Sequence, residues 1–70
     1  MSQRITGTVK WFDASKGYGY IDAGMDKDVF VYYQSLIGNG FKYLSTGERV
    51  EFSLQHKPSG PVAIDVARKN

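Results

Sequence analysis

The sequence predicts an all-β domain, a small five-stranded antiparallel barrel. Three observations carry this reading. Glycines at positions 7, 17, 19, 24, 38, 40, 47 and 60 punctuate the 70 residues at turn-like intervals. Between them lie short runs rich in β-branched and aromatic residues with partial period-two alternation. No stretch of ten residues carries the 3.6-residue period of an amphipathic helix. A chain this short buries only about 60% of the surface its unfolded form exposes, so residues 1–70 are read as a single domain with one modest core.

Taken in order, strands are expected at 4–12 (RITGTVKWF), 17–23 (GYGYIDA), 28–33 (DVFVYY), 48–56 (ERVEFSLQH) and 61–67 (PVAIDVA). The stretches DASKG (13–17) and AGMDKD (23–28) have hairpin length, which makes the first three strands a meander. KPSGP (57–61) sets two prolines and Gly60 in a tight reversal. The segment 34–47, QSLIGNGFKYLSTG, is too glycine-rich for a long helix and too long for a hairpin. It is expected to cross the barrel, with one helical turn at 34–37.

Alternation assigns two faces. In the second strand Tyr18, Tyr20 and Asp22 oppose Gly19 and Ile21; in the third, Phe30 and Tyr32 oppose Val29 and Val31. Burying the aliphatic set leaves Tyr18, Tyr20, Phe30 and Tyr32 together on the outer face. The opposite assignment, rings inside and valines in water, is disfavoured. Ile5, Val9, Ile21, Val29, Val31, Val50, Phe52, Leu54, Val62, Ile64 and Val66 already suffice for the interior of a small barrel. Strict parity in the first strand turns Trp11 inward with Val9 and Phe12 outward with Lys10; a bulge, helped by Gly7, would expose both rings. Parity leaves the orientation of Tyr33 open, because it matches Val31 yet ends its strand.

Composition excludes several function classes. With no cysteine and one histidine, His56, the chain has neither a disulfide frame nor a metal-ligand set, and no cofactor is expected. His56 reads as solvated and inert, and Glu48 with Arg49 as solvated surface. No Ser/His/Asp or Cys/His combination is available for an enzyme, and GYGYID lacks the third glycine of a dinucleotide fingerprint. Without an apolar leader or an 18-residue apolar run, the chain is read as soluble and cytoplasmic, with no membrane or small-molecule partner. A formal charge of +2 permits an anionic partner without demanding one.

Aromatic residues make up 14% of the chain, and an exposed ring patch needs a partner. Lys10, Lys16 and Lys42 frame the rings, while Gly17 and Gly19 are expected to leave ring faces open. Flat faces for unpaired bases with cations for phosphates are what single-strand binding requires. Duplex DNA is a poor match, since its bases are already stacked and no recognition helix is present. Asp28 reads either as a turn-former or as an acceptor for a base or backbone amide.

The motifs KWFDASKGYGYI (10–21) and DVFVYY (28–33), continued by GFKYLSTGERVEF (40–52) and GPVAIDV (60–66), resemble the bacterial cold-shock proteins over essentially the whole chain. The resemblance implies an OB-fold barrel that binds single-stranded RNA and DNA as an ATP-independent RNA chaperone in the cytoplasm. Carried over position by position, it implies a surface of Lys10, Trp11, Phe12, Lys16, Tyr18, Tyr20, Asp28, Phe30, Tyr32, Tyr33, Phe41 and Lys42. It also supports an outward Trp11 and Tyr33. The family usually has phenylalanine where Tyr18, Tyr20 and Tyr33 stand, histidine where Tyr32 stands, and in some members a basic residue at Ser59. A tyrosine keeps the stacking face and adds a hydroxyl.

A monomer is expected, with strand exchange through the crossing segment as the route to a dimer. The alternative from another class is a small barrel binding proline-rich peptides on the same rings. An RNA-recognition-motif fold is strongly disfavoured by motif order, because its shorter aromatic motif lies upstream and it needs two helices.

Overall fold

A long first strand, β1 (Arg4–Asp13), serves two neighbours: its first half pairs with β4 (Arg49–Lys57) and its second half with β2 (Tyr18–Asp22). The structure is a computed structural model, and it describes residues 4–38 and 43–69. β2 pairs in turn with β3 (Val29–Tyr32), completing the meander, and β4 forms a hairpin with β5 (Gly60–Arg68). The order β1-β2-β3-β5-β4 closes into a barrel. These pairings are antiparallel except the closing one, where β3 meets β5 in parallel with Phe30 opposite Val62. Among the described residues no helix is long and apolar enough to cross a membrane.

Turn chemistry sets the strand ends. The Asp13 carboxylate accepts from the Ser15 amide (3.0 Å), the Ser15 hydroxyl (2.7 Å) and the Lys16 amide (3.1 Å), and the Gly17 amide donates to the Asp13 carbonyl. Gly17 completes the reversal at φ 81°, a left-handed value that favours glycine. At the other hairpin Pro58 and Ser59 alone connect the paired residues Lys57 and Gly60. The crossing segment contains a 3₁₀ turn, but at Tyr33–Ser35, earlier than 34–37, because Leu36 is already extended and bridges to Val66 on β5. Residues 39–42, and with them Phe41 and Lys42, lie outside the described residues.

The core is the aliphatic face that alternation identified. Val9, Ile21, Val29, Val31, Val50, Phe52 and Val66 are fully buried, joined by Leu36, Leu44 and Ala63. Ile5 and Leu54 pack partly buried against them. Val62 and Ile64 depart from the expected interior: both are half-exposed, and Ala63 takes the inner position. The reason is a bulge. Glu51 pairs with Ala67 and Ser53 with Ile64, so β5 carries one more residue than β4 over this interval. Asp65, at φ 53°, is the residue in a left-handed conformation there, and Val66 returns to the core.

β1 carries a second bulge, at Lys10 rather than near Gly7. Val9 faces Ile21 and Trp11 faces Tyr20, leaving Lys10 unopposed and reversing parity beyond it. Gly7 has another role, since a Cβ there would lie 2.5 Å from Ile21 Cγ2. Glu48 also departs from the solvated reading. Its carboxylate accepts from the Ser45 amide at 3.0 Å and pairs with Arg68 at 2.8 Å, tying the turn before β4 to the end of β5.

Candidate nucleic-acid interface

The Lys10 bulge decides how the outer face is built. Because it reverses parity, Trp11 turns outward over β2, 42% exposed, while Phe12 falls opposite Gly19 and packs against the core. One ring is exposed, not two, and it is the ring that strict alternation would have buried. Trp11 then meets Tyr18 and Tyr20 at centroid distances of 5.6 and 5.5 Å. Phe30 meets the same two tyrosines at 5.8 and 5.6 Å, near-parallel to Tyr18 and edge-on to Tyr20. Cross-strand register produces this cluster, with Tyr20 opposite Phe30 and Tyr18 opposite Tyr32. These rings support one another rather than lying as separate plates.

Tyr32 and Tyr33 form a second contact at 4.8 Å, at the end of β3. Tyr32 is exposed, as its parity requires. Tyr33 is half-buried: past the strand end it packs against the core, and its ring lies against Gly17. A Cβ on Gly17 would come within 2.8 Å of that ring. Gly19 acts similarly, since a Cβ there would collide with the Trp11 carbonyl and lie 2.7 Å from the Phe12 Cα. Both glycines are buried, so they admit the close approach of Tyr33 and of β1 instead of leaving ring faces open to solvent.

Charges sit at both ends of the cluster. Lys10 and Asp28 form a 3.0 Å ion pair with both side chains substantially exposed. Such a pair contributes at most about 1 kcal/mol. Its clearer effect is to neutralise a cation beside Tyr20 and Phe30. At the opposite end Lys16 flanks a shallow groove shared with Tyr33, and its ammonium has no ion-pair partner among the described residues. The Ser15 hydroxyl first and the Lys16 amide next hold the Asp13 carboxyl below the usual aspartate range, so the turn presenting Lys16 is fixed around an ionised carboxylate.

Sequence reasoning passed over the side of the site facing β5. A groove of about 540 Å³ borders Tyr20 and Phe30, and Lys27, Ser59, Pro61 and Val62 contribute to its lining. In the sequence Ser59 reads only as the absence of a basic residue. The available signal was Asp65, because aspartate tolerates a left-handed conformation and can mark a bulge.

Comparison with known proteins places this geometry. The family model described as the 'Cold-shock' DNA-binding domain matches residues 5–69. The chain belongs to the cold-shock domain family. The domain is 49% identical over 67 residues to cold shock-like protein CspB of Yersinia pestis, covering 94% of this chain and 96% of that protein. With cold shock-like protein CspC of Escherichia coli K12 it shares 50% identity over 64 residues, covering 90% and 93% of the two chains. A solved Drosophila Unr chain superposes with a TM-score of 0.81 over 99% of this cold-shock domain at 17% identity, which demonstrates the shared fold. This cold-shock domain spans 28% of that longer chain.

Proposed function

We propose that this cold-shock domain binds unpaired stretches of RNA and DNA by stacking bases on Trp11, Tyr18, Tyr20, Phe30, Tyr32 and Tyr33. It acts as a monomeric, ATP-independent RNA chaperone in the cytoplasm. The observation that carries the reading is the continuous outer-face cluster of Trp11, Tyr18, Tyr20 and Phe30, each in contact with two others at 5.5–5.8 Å. Base stacking on such rings gives about 1–3 kcal/mol per base with little regard to sequence. Lys16 serves a phosphate at one end. Lys10 does so at the other once it exchanges Asp28 for the ligand, which frees Asp28 to accept from a base. Phe41 and Lys42 extend the site by family resemblance. Phe12 acts from beneath, holding Trp11 in place through the bulge.

Chaperone action needs no hydrolysis. A protein that binds only the open form of a structured RNA shifts its equilibrium by RT ln(1 + [L]/Kd), so unwinding follows from mass action. No catalytic role is assigned to any residue. The test is titration of a short oligothymidine while following Trp11 fluorescence, with matched duplex and proline-rich peptide controls. Quenching by the single strand alone is the expected result. A response to the peptide alone would replace this function with a protein-interaction role, and no response to any ligand would remove the stacking platform.

A further inference from the structure

The bulge at Asp65 leaves an apolar step on the outer face of β5. Val62, opposite Phe30 across the parallel contact, and Ile64, one pleat further along, are both half-exposed. They line a groove of about 360 Å³ between β3 and β5. Phe30 and Tyr32 line it as well, and Lys57, Ser59 and Gln34 supply its polar groups. Among the described residues none of those three polar side chains has a hydrogen-bond or ion-pair partner. An apolar surface with a few free polar groups and one cation suits a nucleotide, and the volume falls within the range of small-ligand sites.

Position identifies the occupant. The ring cluster runs sideways across the barrel, from Trp11 on β1 through Tyr18 and Tyr20 on β2 to Phe30 and Tyr32 on β3. The next strand in that direction is β5. Phe30 and Tyr32 therefore belong both to the platform and to the groove, and a strand crossing the rings is led into it.

We propose that the β3–β5 groove takes one further base of the same bound strand, with Val62 and Ile64 against the base and the Lys57 ammonium on a phosphate. Ser59 and Gln34 offer a hydroxyl and an amide to the base edge. This subsite rests on the stacking function proposed above and lengthens it by one nucleotide on the β5 side.

The test is an affinity series over oligothymidines of increasing length for the unmodified protein, for Val62→Thr/Ile64→Thr, and for Lys57→Gln. Threonine keeps the β-branch while wetting the apolar step, and a matching thermal unfolding midpoint checks that the variants fold. The double variant is expected to reach its affinity plateau one nucleotide earlier, binding the longest oligomers about five- to tenfold more weakly and the shorter ones unchanged. Lys57→Gln is expected to reduce the salt slope by about 0.7 for the long oligomers alone. Variants that follow the unmodified protein at every length, or that lose affinity equally for short and long strands, overturn the subsite while leaving the platform standing. Failure of the unmodified protein to bind any length removes the platform, and the subsite with it.

Discussion

Adjacent residues of β3 separate binding from stability, because Phe30 faces the ring cluster and Val31 is fully buried. Val31→Ala removes two buried carbon groups at about 0.8 kcal/mol each, and incomplete collapse around them brings the loss to about 2–3 kcal/mol. A chain of this length has about 3.5–10 kcal/mol of total stability, so the substitution takes a large fraction and lowers the melting temperature by roughly 10–20 °C. Phe30→Ala removes two ring contacts worth about 0.5–1.5 kcal/mol each, and because the position is half-exposed the loss of folding stability falls at the low end, about 1 kcal/mol together. It also removes a stacking partner for a base, about 1–3 kcal/mol of binding, or roughly 5- to 150-fold in Kd. Thermal unfolding and oligothymidine titration, both read through Trp11 well below the variants' melting temperatures, measure the two quantities on the same samples. Phe30→Ala is expected to fail mainly in the titration and Val31→Ala mainly in the melt. Equal losses of stability, or full binding by Phe30→Ala, would refute the division of this strand into a core face and a ligand face.

Gly19→Ala drives a Cβ into the β1 backbone at Trp11 and Phe12 and is expected to cost about 1–3 kcal/mol by urea denaturation, with Trp11 fluorescence altered in the folded state. Asp65→Val, despite the β-preference of valine, is expected to lose about 1–2 kcal/mol in the same assay, because φ 53° suits a β-branched residue poorly. The lowered pKa of Asp13 means its contribution is complete above the usual aspartate range and is lost as pH falls through the depressed folded-state value. Asp13→Ala should therefore be destabilising at neutral pH and show a shallower acid limb below about pH 4 in pH-dependent melts. Binding by the unmodified protein should have a salt slope no steeper than about −5, and Lys10→Gln, by removing one phosphate contact, should make it shallower by about 0.7.

Most of the barrel was legible because its period-two signal is local. Ile21, Val29 and Val31 alternate with Tyr20, Phe30 and Tyr32, and no competing assignment buries as much aliphatic surface. Legibility failed where a strand gains a residue. One extra residue reverses every later side chain, and its only sequence traces are Lys10 in a run of good strand formers and Asp65 between Ile64 and Val66. Tyr33 was unreadable for another reason: alternation stops at Tyr32, and the 3₁₀ turn begins at Tyr33. The pairing of Glu48 with Arg68 joins residues 20 positions apart and follows from closure of the β4–β5 hairpin, which local pattern does not encode.

The two bulges do more than interrupt a pattern. Without the one at Lys10, Trp11 would point into a core already filled by Phe52 and the valines, and the ring cluster would lose its β1 member. Without the one at Asp65, Val66 would leave the core, because its parity would then match that of outward-facing Ile64. Each bulge reconciles a continuous interior with a continuous outer surface running from β1 to β5. Folding has then already ordered the rings, since Trp11, Tyr18, Tyr20 and Phe30 restrain one another before any ligand arrives. Immobilising a large side chain during association costs about 0.5–1.5 kcal/mol, so a cluster ordered in advance keeps more of each stacking contact as affinity. The flexible strand supplies most of the remaining ordering cost. That cost grows with each nucleotide fixed, so affinity increases with length only while the surface offers another ring or apolar step to meet the next base.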